Sequence, residues 1–194
     1  MCFTDNQNLR FNSGNWDIRG IPAELEYLSE VKKQRTVKAC PHKYLGDYEV
    51  SLWVDGNISI ISDIRKFIDR YDLFKTPIYV KPHPCRKCLY EEANAVLRYY
   101  KDVEKNVNPQ IKKYREEGFP RNFGLFETSV ILRRHNDPKC QLFSNLWASQ
   151  IFLFSHRDQL SFDYCRWKTG TEVGKLAIDK LSRDKNFRWR RHGS

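Results

Sequence analysis

The sequence predicts an α/β domain in which helices flank a mixed, mostly parallel sheet. Strand-like segments rich in β-branched and aromatic residues alternate with segments of helical periodicity along the chain. The chain has 194 residues, of which 40% are hydrophobic and 14% aromatic, enough to form a buried core. No apolar run approaches the roughly 20 residues of a membrane span. The length fits one domain over residues 1–194.

Four segments have strand character. "MCFTD" at the N-terminus resembles the end of a strand that runs into a loop. "YEVSLWVDG" stops at Gly56, and "TPIYVKPHP" is a short strand broken by prolines. "LFETSVILRRH" is the fourth segment, and its charged end is typical of a solvated strand exit.

Helical periodicity separates these strands. Asp63 is placed to cap a helix over "DIRKFIDRYDLF". A long helix or helix pair begins near Cys88, has its predicted hinge at Asn108-Pro109 and ends at Gly118. The remaining helical segments are "IPAELEYLSEVKKQRTVKA", "CQLFSNLWASQIFLFS" and "DQLSFDYCRWKTG".

The chain is strongly basic, with 34 Lys and Arg against 24 Asp and Glu and a formal charge of +10. Such a charge favours an anionic partner, whether nucleic acid, an acidic surface or a phosphorylated small molecule. Residues 185–194, "KNFRWRRHGS", form a basic C-terminal tail, which is either a frayed end or a binding element.

Six cysteines are scattered along the chain, and "MCFTDNQNLR" lacks the basic start and apolar stretch of a signal peptide. We therefore expect mostly free thiols in a reducing compartment and a soluble, cytoplasmic protein. Cys85-x-x-Cys88 matches half of a zinc site, but no second pair of suitable spacing accompanies it.

Asp55 follows an apolar strand and precedes Gly56. Open α/β sheets bind ligands beyond the carboxyl ends of their strands, so this carboxylate is a candidate ligand for Mg²⁺ or Mn²⁺. The alternative is a simple turn, because Asp and Gly both favour turns.

Three further clusters could carry chemistry. His83 and Arg86 lie on a turn stiffened by prolines, where a substrate could bind. Glu127 stands between Phe126 and a run of β-branched residues. A carboxylate in apolar surroundings is costly unless it is paired with another group or takes part in function. Asp158 follows an apolar helix and is either the N-cap of the next helix or an active-site acid.

Four motifs, taken in order, resemble those of a glycosyltransferase-like family. They are "KACPHKYLGDYEVSLWVDGNI", "KPHPCRKCLYEEANAV", "EGFPRNFGLFETSVILRRHND" and "SHRDQLSFDY", and the resemblance covers roughly residues 2 to 168. The family includes plant Golgi proteins linked to wall and mucilage glycans, bacterial proteins and enzymes encoded by large algal viruses. For a virus-encoded member the cytoplasm would be that of the host.

The resemblance implies a single GT-A domain, Rossmann-like, that binds a nucleotide sugar and a divalent cation, Mn²⁺ or Mg²⁺. The implied reaction moves a hexose or deoxyhexose from a nucleoside diphosphate sugar to a hydroxyl of a glycan or glycoprotein. UDP-glucose is the first donor to consider and UDP-rhamnose the second. Residues ahead of Cys2 in the family have no counterpart here, so a first strand is either absent or lies before residue 1.

The family's motifs also assign roles to positions. The metal-binding DxD-type motif falls on Trp53-Val54-Asp55, which keeps only its last acid, and His192 in the tail is a second metal candidate. Asp158 is the first candidate for the catalytic base and Glu127 the second. The expected donor-binding residues are Asp5, Arg35, Lys38, His42, His83, Arg86, Arg157 and Gln159.

Two other functions remain open at the level of sequence. The net charge, the arginine-rich tail and Trp189 would suit a nucleic-acid-binding module without enzymatic activity. Acids recur at strand and helix ends, where they would repel a phosphate backbone, and no nucleic-acid motif is present, so no nucleic-acid partner is expected. A degenerate transferase that only binds glycans is the third possibility.

Overall fold

A four-stranded sheet forms the centre of the molecule in the computed structural model, which describes residues 1–4, 16–178 and 180–190. In spatial order its strands are β3 (Ser51–Val54), β6 (Phe126–Arg133), β5 (Ile78–Pro82) and β7 (Val173–Lys175). β5 and β7 are parallel, whereas β6 is antiparallel to both β3 and β5. The predicted α/β class and mixed sheet are confirmed.

The parallel character of this sheet is weaker than predicted. β3, β5 and β7 run in one direction, but the reversed strand β6 lies between β3 and β5. Two of the three adjacent pairings in this sheet are therefore antiparallel. Hydrophobic alternation along a strand carries no information on its direction, so the sequence could not show this reversal.

Two small ribbons accompany the sheet. β1 (Cys2–Phe3) pairs in parallel with β2 (Ile18–Arg19), and β4 (Ile58–Ile60) pairs antiparallel with β8 (Phe187–Trp189). β8 lies inside the predicted basic tail, and Phe187 is fully buried. The tail is therefore part of the fold as far as Arg190, which corrects its interpretation as a frayed end.

Seven α-helices occur in the described residues: α1 (Glu30–Ala39), α2 (Pro41–Tyr44), α3 (Ile64–Ile68), α4 (Leu89–Arg98), α5 (Glu104–Glu116), α6 (Pro138–Leu153) and α7 (Gln159–Thr169). A short 3-10 helix, Ala23–Leu25, precedes α1. Asp63 caps α3 as predicted, because its side chain accepts the N–H of Arg65. Gly118, with φ +80°, follows the end of α5, also as predicted.

The helix pair breaks at a different place from the predicted hinge. The break spans residues 99–103, where Tyr100 has φ +52°, and Pro109 lies inside α5. Packing explains the difference, because Val107, Ile111 and Tyr114 of α5 are buried around the proline. Their burial offsets the hydrogen bond that a proline removes from a helix.

The core lies on both faces of the sheet. One face packs on α1 and α4–α7, where Phe143, Trp147 and Phe162 are buried in mutual ring contact. The other face packs on α3 and the β4–β8 ribbon, where the Phe67 and Phe187 rings lie 5.1 Å apart. The sheet is thus a middle layer whose ends alone remain open for a site.

β6 contains a bulge near its start. Val80 and Lys81 are adjacent in β5, but their partners in β6, Ile131 and Glu127, are four residues apart. Thr128, Ser129 and Val130 therefore have no ladder partner in β5. Bulges of this kind re-aim side chains, and this one lies beside the candidate site described below.

The six cysteines lie in the described residues and carry free thiols, four of them buried, as the sequence predicts. Burial raises the pKa of the Cys40 thiol and raises that of Cys140 to about 11, so both are unreactive at neutral pH. Among the described helices, none is both long enough and apolar enough to cross a membrane.

Phe187→Ala tests whether the C-terminal strand belongs to the core. Removing this fully buried ring should lower the free energy of unfolding by about 3–5 kcal/mol, through lost burial and an unfilled cavity. Trp189→Ala on the same strand is the control, since 45% of that residue is exposed and its loss should cost under about 1 kcal/mol. Urea unfolding measures both values, and equal effects would contradict the assignment.

Candidate active site

Three predicted site residues meet at one end of the sheet. Because β6 runs against β3 and β5, the carboxyl ends of β3 and β5 lie beside the start of β6. The N–H of Asp55 donates to the Ser129 carbonyl at 2.9 Å, and the N–H of His83 donates to the Leu125 carbonyl at 2.8 Å. Glu127 lies on the strand between them. His83 and Glu127 thus lie at the same end of the sheet as Asp55, for which the sequence suggested a strand-end position.

A lysine ammonium connects the two predicted acids at this end. Lys38 Nζ of α1 lies 3.0 Å from Asp55 Oδ1 and 2.7 Å from Asp158 Oδ2. Lys38 is 1% exposed and Asp158 3% exposed, so this pair is almost completely shielded from water, whereas the Asp55 side chain keeps 28% exposure. The bridge joins α1, the end of β3 and the connection between α6 and α7. The indole N–H of Trp53 also donates to Asp55 Oδ1, at 2.8 Å.

Asp158 has cationic or hydroxyl partners for both carboxylate oxygens. Arg35 Nε lies 3.5 Å from Oδ1, and the Thr128 hydroxyl donates to Oδ2 at 3.0 Å. The residue precedes α7, yet its side chain accepts no bond from that helix, so the capping interpretation is not supported. Burial by itself would raise the pKa of this carboxyl, but the charges of Lys38 and Arg35 hold the pKa well below its usual range.

These contacts make Asp158 a poor proton acceptor. A carboxylate with a depressed pKa is a weak base, and both oxygens are already occupied. The assignment of Asp158 as catalytic base stays a prediction, and its surroundings favour an electrostatic role. The positions of Lys38 and Arg35 are fixed by this carboxylate.

Glu127 is engaged in a second ion pair. Its Oε2 lies 2.7 Å from Lys81 Nζ of β5, and its Oε1 accepts the Ser129 hydroxyl at 2.7 Å. Its side chain keeps 25% exposure, so it reaches the open end of the sheet. Its role as the alternative base stays a prediction.

His83 and Arg86 organise the loop between β5 and α4. His83 Nδ1 accepts the backbone N–H groups of Cys85 and Arg86 at 3.2 and 2.8 Å, so a neutral ring carries its proton on Nε2. Arg86 Nε donates to Glu92 Oε2 at 2.5 Å. Burial lowers the pKa of His83, which keeps this ring neutral and the turn intact at neutral pH. The charges of Lys81 and Glu127 act on His83, so this loop borders the Glu127 ion pair.

Three predicted donor-binding residues have a buried donor atom that makes no hydrogen bond within the described residues. Two of these atoms are Arg157 Nε and Gln159 Nε2, and the third, Arg35 Nε, has only its ion pair with Asp158, at 3.5 Å. The charges of Arg35 and Arg157 act on Asp158, and Gln159 follows it in the chain with 9% exposure. Buried polar groups in native proteins are nearly always paired, so these donors indicate a place for ligand oxygens.

Arg133 is a functional residue that the sequence did not reveal. It is 1% exposed, not a solvated strand exit, and its guanidinium donates to the carbonyls of Lys38 at 2.8 Å and Ala39 at 3.4 Å. Burial lowers its pKa to about 10, so the group stays charged at neutral pH. Carbonyls at a helix C-terminus attract cations, and this contact fixes the end of α1 that presents Lys38.

His156 and Asp102 form a second pair that the sequence did not reveal. His156 Nδ1 lies 3.1 Å from Asp102 Oδ2, and Asp102 stands in the break between α4 and α5. His156 is two residues before Asp158 in the chain, and the charges of Arg35, Arg157 and Asp158 all act on its ring. Its position directly before Arg157-Asp158-Gln159 was the sequence signal that could have identified it.

Other predicted residues are not brought to this end. His42 lies on α2, where Nε2 is 3.2 Å from Asn145 Oδ1 and the charges of Arg133 and His135 act on it. Arg133 ends β6 and His135 follows it, so His42 lies away from the start of that strand, where Glu127 is found. The donor-binding role of His42 stays a prediction. Asp5 and His192 lie outside the described residues.

The described residues do not form a ligand set for Mn²⁺ or Mg²⁺ at Asp55. Its Oδ1 already accepts from Lys38 and Trp53, and an ammonium so close disfavours a second cation. Within residues 1–4, 16–178 and 180–190, no three His, Cys, Asp or Glu side chains are grouped closely enough to hold a metal ion. Metal binding by Asp55 therefore stays a prediction, and no chemical step below depends on it.

Lys38→Met tests the buried bridge. The change leaves two carboxylates without their shared cation, so the free energy of unfolding at neutral pH should fall by about 3–5 kcal/mol. The folded pKa of Asp158 lies below its unfolded value near 3.9, so the stability from its ion pairs is present above about pH 4 and lost as pH falls further. The difference between wild type and variant should therefore shrink in acid.

Lys43→Met on α2 is the control, because that lysine is exposed. Urea unfolding at several pH values gives both differences. A Lys38→Met effect that is small, or that does not change below pH 4, would contradict the bridge.

Comparison with known proteins identifies two curated relatives. Probable hexosyltransferase MUCI70 of Arabidopsis thaliana is 28% identical over 169 residues, which cover 82% of this chain and 29% of that protein. Alkaline ceramidase TOD1 of Arabidopsis thaliana is 28% identical over 170 residues, which cover 80% of this chain and 36% of that protein. The chain thus spans about a third of the length of these two curated relatives.

The family assignment rests on a match that covers more of the chain than either pairwise comparison does. The family model described as TOD1/MUCI70, glycosyltransferase-like domain, matches residues 3–188, nearly the whole chain. This match confirms the resemblance that the four sequence motifs indicated. The chain belongs to the TOD1/MUCI70 glycosyltransferase-like domain family.

Proposed function

We propose that this domain is a glycosyltransferase that moves a hexose or deoxyhexose from a nucleoside diphosphate sugar to a hydroxyl of a glycan or glycoprotein. The observation that carries the proposal is the group of buried donors on Arg35, Arg157 and Gln159 that make no hydrogen bond, around the carboxylate that binds the Lys38 ammonium. These groups lie near the carboxyl ends of the strands, where α/β sheets bind nucleotides. The family match and the hexosyltransferase name of one relative support it.

The charge of the site suits the proposed reaction. When the bond between the anomeric carbon and the diphosphate breaks, the leaving diphosphate gains negative charge while the sugar becomes oxocarbenium-like. Preorganised cationic donors stabilise that charge where it develops. Two of the three donors that make no hydrogen bond belong to arginines, whose planar groups fit phosphate oxygens. Asp158 and Asp55 hold Lys38 in place before the donor arrives.

The finer parts of the proposal follow the resemblance. UDP-glucose is the first donor to test and UDP-rhamnose the second, with a glycan or glycoprotein as acceptor. Assistance by Mn²⁺ or Mg²⁺ is part of the proposal and would require Asp55, with His192 as a further candidate ligand. A cytoplasmic location likewise stays a prediction.

Three other functions belong in the same experiment. The net charge of +10 favours nucleic-acid binding as the alternative, and a glycan binder without transfer activity is the second. One relative is named an alkaline ceramidase, so ceramide is included as a substrate to be tested.

Arg157→Ala and Gln159→Ala test the donor site by calorimetric titration with UDP-glucose. Each variant removes an unpartnered buried donor, and loss of a hydrogen bond to a charged ligand costs about 1.5–3 kcal/mol. The dissociation constant should rise about 10- to 100-fold. Arg188→Ala, an exposed arginine on β8, is the matched control and should bind as wild type does.

The transferase would be abandoned if neither UDP-glucose nor UDP-rhamnose bound while DNA bound with a steep dependence on salt. Binding of either donor without release of UDP would favour the glycan binder. Cleavage of ceramide without binding of either donor would favour the hydrolytic chemistry.

Asp55→Asn tests the metal part separately. If Mn²⁺ strengthens binding of UDP-glucose through Asp55, the variant should lose that gain, because the amide is a weaker ligand than the carboxylate. Asp63→Asn is the control, since asparagine also caps a helix and Asp63 is on α3, away from the bridge. Undiminished metal dependence in Asp55→Asn would remove Asp55 as a ligand.

A further inference from the structure

His156 and Asp102 form a hydrogen-bonded pair at the edge of the donor site, and neither residue was assigned a role by the motifs. We propose that His156 is the catalytic base that takes the proton of the acceptor hydroxyl, with Asp102 as its positioning residue. The proposal rests on the transferase function above. It assigns the role of base to His156 instead of Asp158, because the contact with Asp102 leaves Nε2 of the His156 ring available to the acceptor hydroxyl.

Asp102 is held firmly enough to orient a ring. Its side chain is 3% exposed, and Oδ1 accepts the Val103 N–H at 2.7 Å and the Asn106 amide at 2.9 Å. Oδ2 accepts the Ser155 hydroxyl at 2.5 Å, the His156 N–H at 3.2 Å and the ring Nδ1 at 3.1 Å. Five contacts thus fix the carboxylate, and the carboxylate fixes the imidazole.

The contact with Asp102 also selects the tautomer of His156. A carboxylate accepts hydrogen bonds only, so a neutral ring beside it carries its proton on Nδ1. Nε2 is then the nitrogen that can accept a proton. The side chain keeps 29% exposure, so the ring is open to an arriving molecule, in contrast to Asp158.

Charges from three segments set the protonation of His156. Burial and the charges of Arg157, beside it, and of Arg35 on α1 lower the pKa of His156. The charges of Asp102, in the α4–α5 connection, and of Asp158 raise that pKa. The net effect is a lowered pKa, so the ring is neutral and able to accept a proton at pH 7. Asp158, with its pKa held far lower, is a much weaker base.

The proposed step balances without a further reactant. The acceptor oxygen forms a bond to the anomeric carbon while His156 Nε2 takes the hydroxyl proton. The bond from the anomeric carbon to the β-phosphate oxygen breaks, and its electron pair leaves on the nucleoside diphosphate beside Arg35 and Arg157. The imidazolium then returns its proton to water. A single displacement of this kind inverts the anomeric configuration.

The kinetic test measures UDP release from UDP-glucose and from UDP-rhamnose, with water as the acceptor, between about pH 5 and 9. Wild type should gain rate as pH rises, with a midpoint below the usual histidine pKa of about 6.5, because the neutral ring is the base. His156→Gln should lose about 10²- to 10⁴-fold in rate and lose that pH dependence. Its dissociation constant for UDP-glucose should stay within about twofold.

Asp102→Asn separates positioning from structure. Asp102 raises the pKa of His156, so its removal should lower the rate and also move the midpoint to lower pH. Asp72→Asn is the matched control, because Asp72 also accepts backbone N–H groups but is exposed and bonded to residues 74 and 75. It should keep the wild-type midpoint.

The outcomes distinguish the two proposals. Wild-type rate and pH dependence in His156→Gln would overturn the base and leave the transferase standing. No UDP release by wild type from either donor would overturn the transferase and the base with it. A ¹⁵N spectrum of the histidine rings gives a reading that does not require turnover. The His156 ring should carry its proton on Nδ1, and a proton on Nε2 in the neutral ring would overturn the proposal.

Discussion

One ammonium group shared by two carboxylates organises the open end of this sheet. Lys38 reaches from α1 to Asp55 and Asp158, so a helix, a strand end and an inter-helix connection are tied at a single buried point. Such a bridge is costly to desolvate, and it is stable here because Thr128 and Trp53 donate further hydrogen bonds to the carboxylates. From the other side, Arg133 holds the last carbonyls of α1. The lysine is thus fixed at both ends, by backbone and by side chain.

In this arrangement one residue holds a fixed negative charge and a different residue is placed to accept a proton. Asp158 lies so close to cations that it remains ionised across the ordinary pH range, which suits the orientation of Lys38 and Arg35. His156, two residues earlier in the same chain segment, has one carboxylate partner and a partly exposed ring. The pKa values of both residues are lowered, so at neutral pH Asp158 is a fixed anion and His156 is a neutral ring that can accept a proton. Asp158 and His156 are close in the sequence, but they differ in burial and in the groups that they contact.

The sequence predicted much of this site and missed specific parts for physical reasons. Strand-end chemistry identified Asp55, and the motifs placed Lys38, Arg35 and Asp158 together without any measure of distance. Strand direction was not recoverable, because alternation is the same in either direction, so reversed β6 was missed. The helix break was put at Pro109 because tertiary packing around that proline leaves no local signal. That error concealed Asp102, which stands in the true break.

The bulge in β6 divides one strand into two functional parts. Before it, Glu127 binds Lys81 at the open end of the sheet, and within it Thr128 donates to Asp158. After it, Ile131 and Leu132 lie in the cores on opposite faces. Because side chains alternate strictly along a strand, a loss or gain of one residue here would exchange the faces of the two parts. Substitutions along β6 change one contact at a time, whereas a change of length would disconnect Thr128 from Asp158. The alternation of side chains along β6 therefore makes the site more sensitive to a change in chain length here than to a change in residue identity.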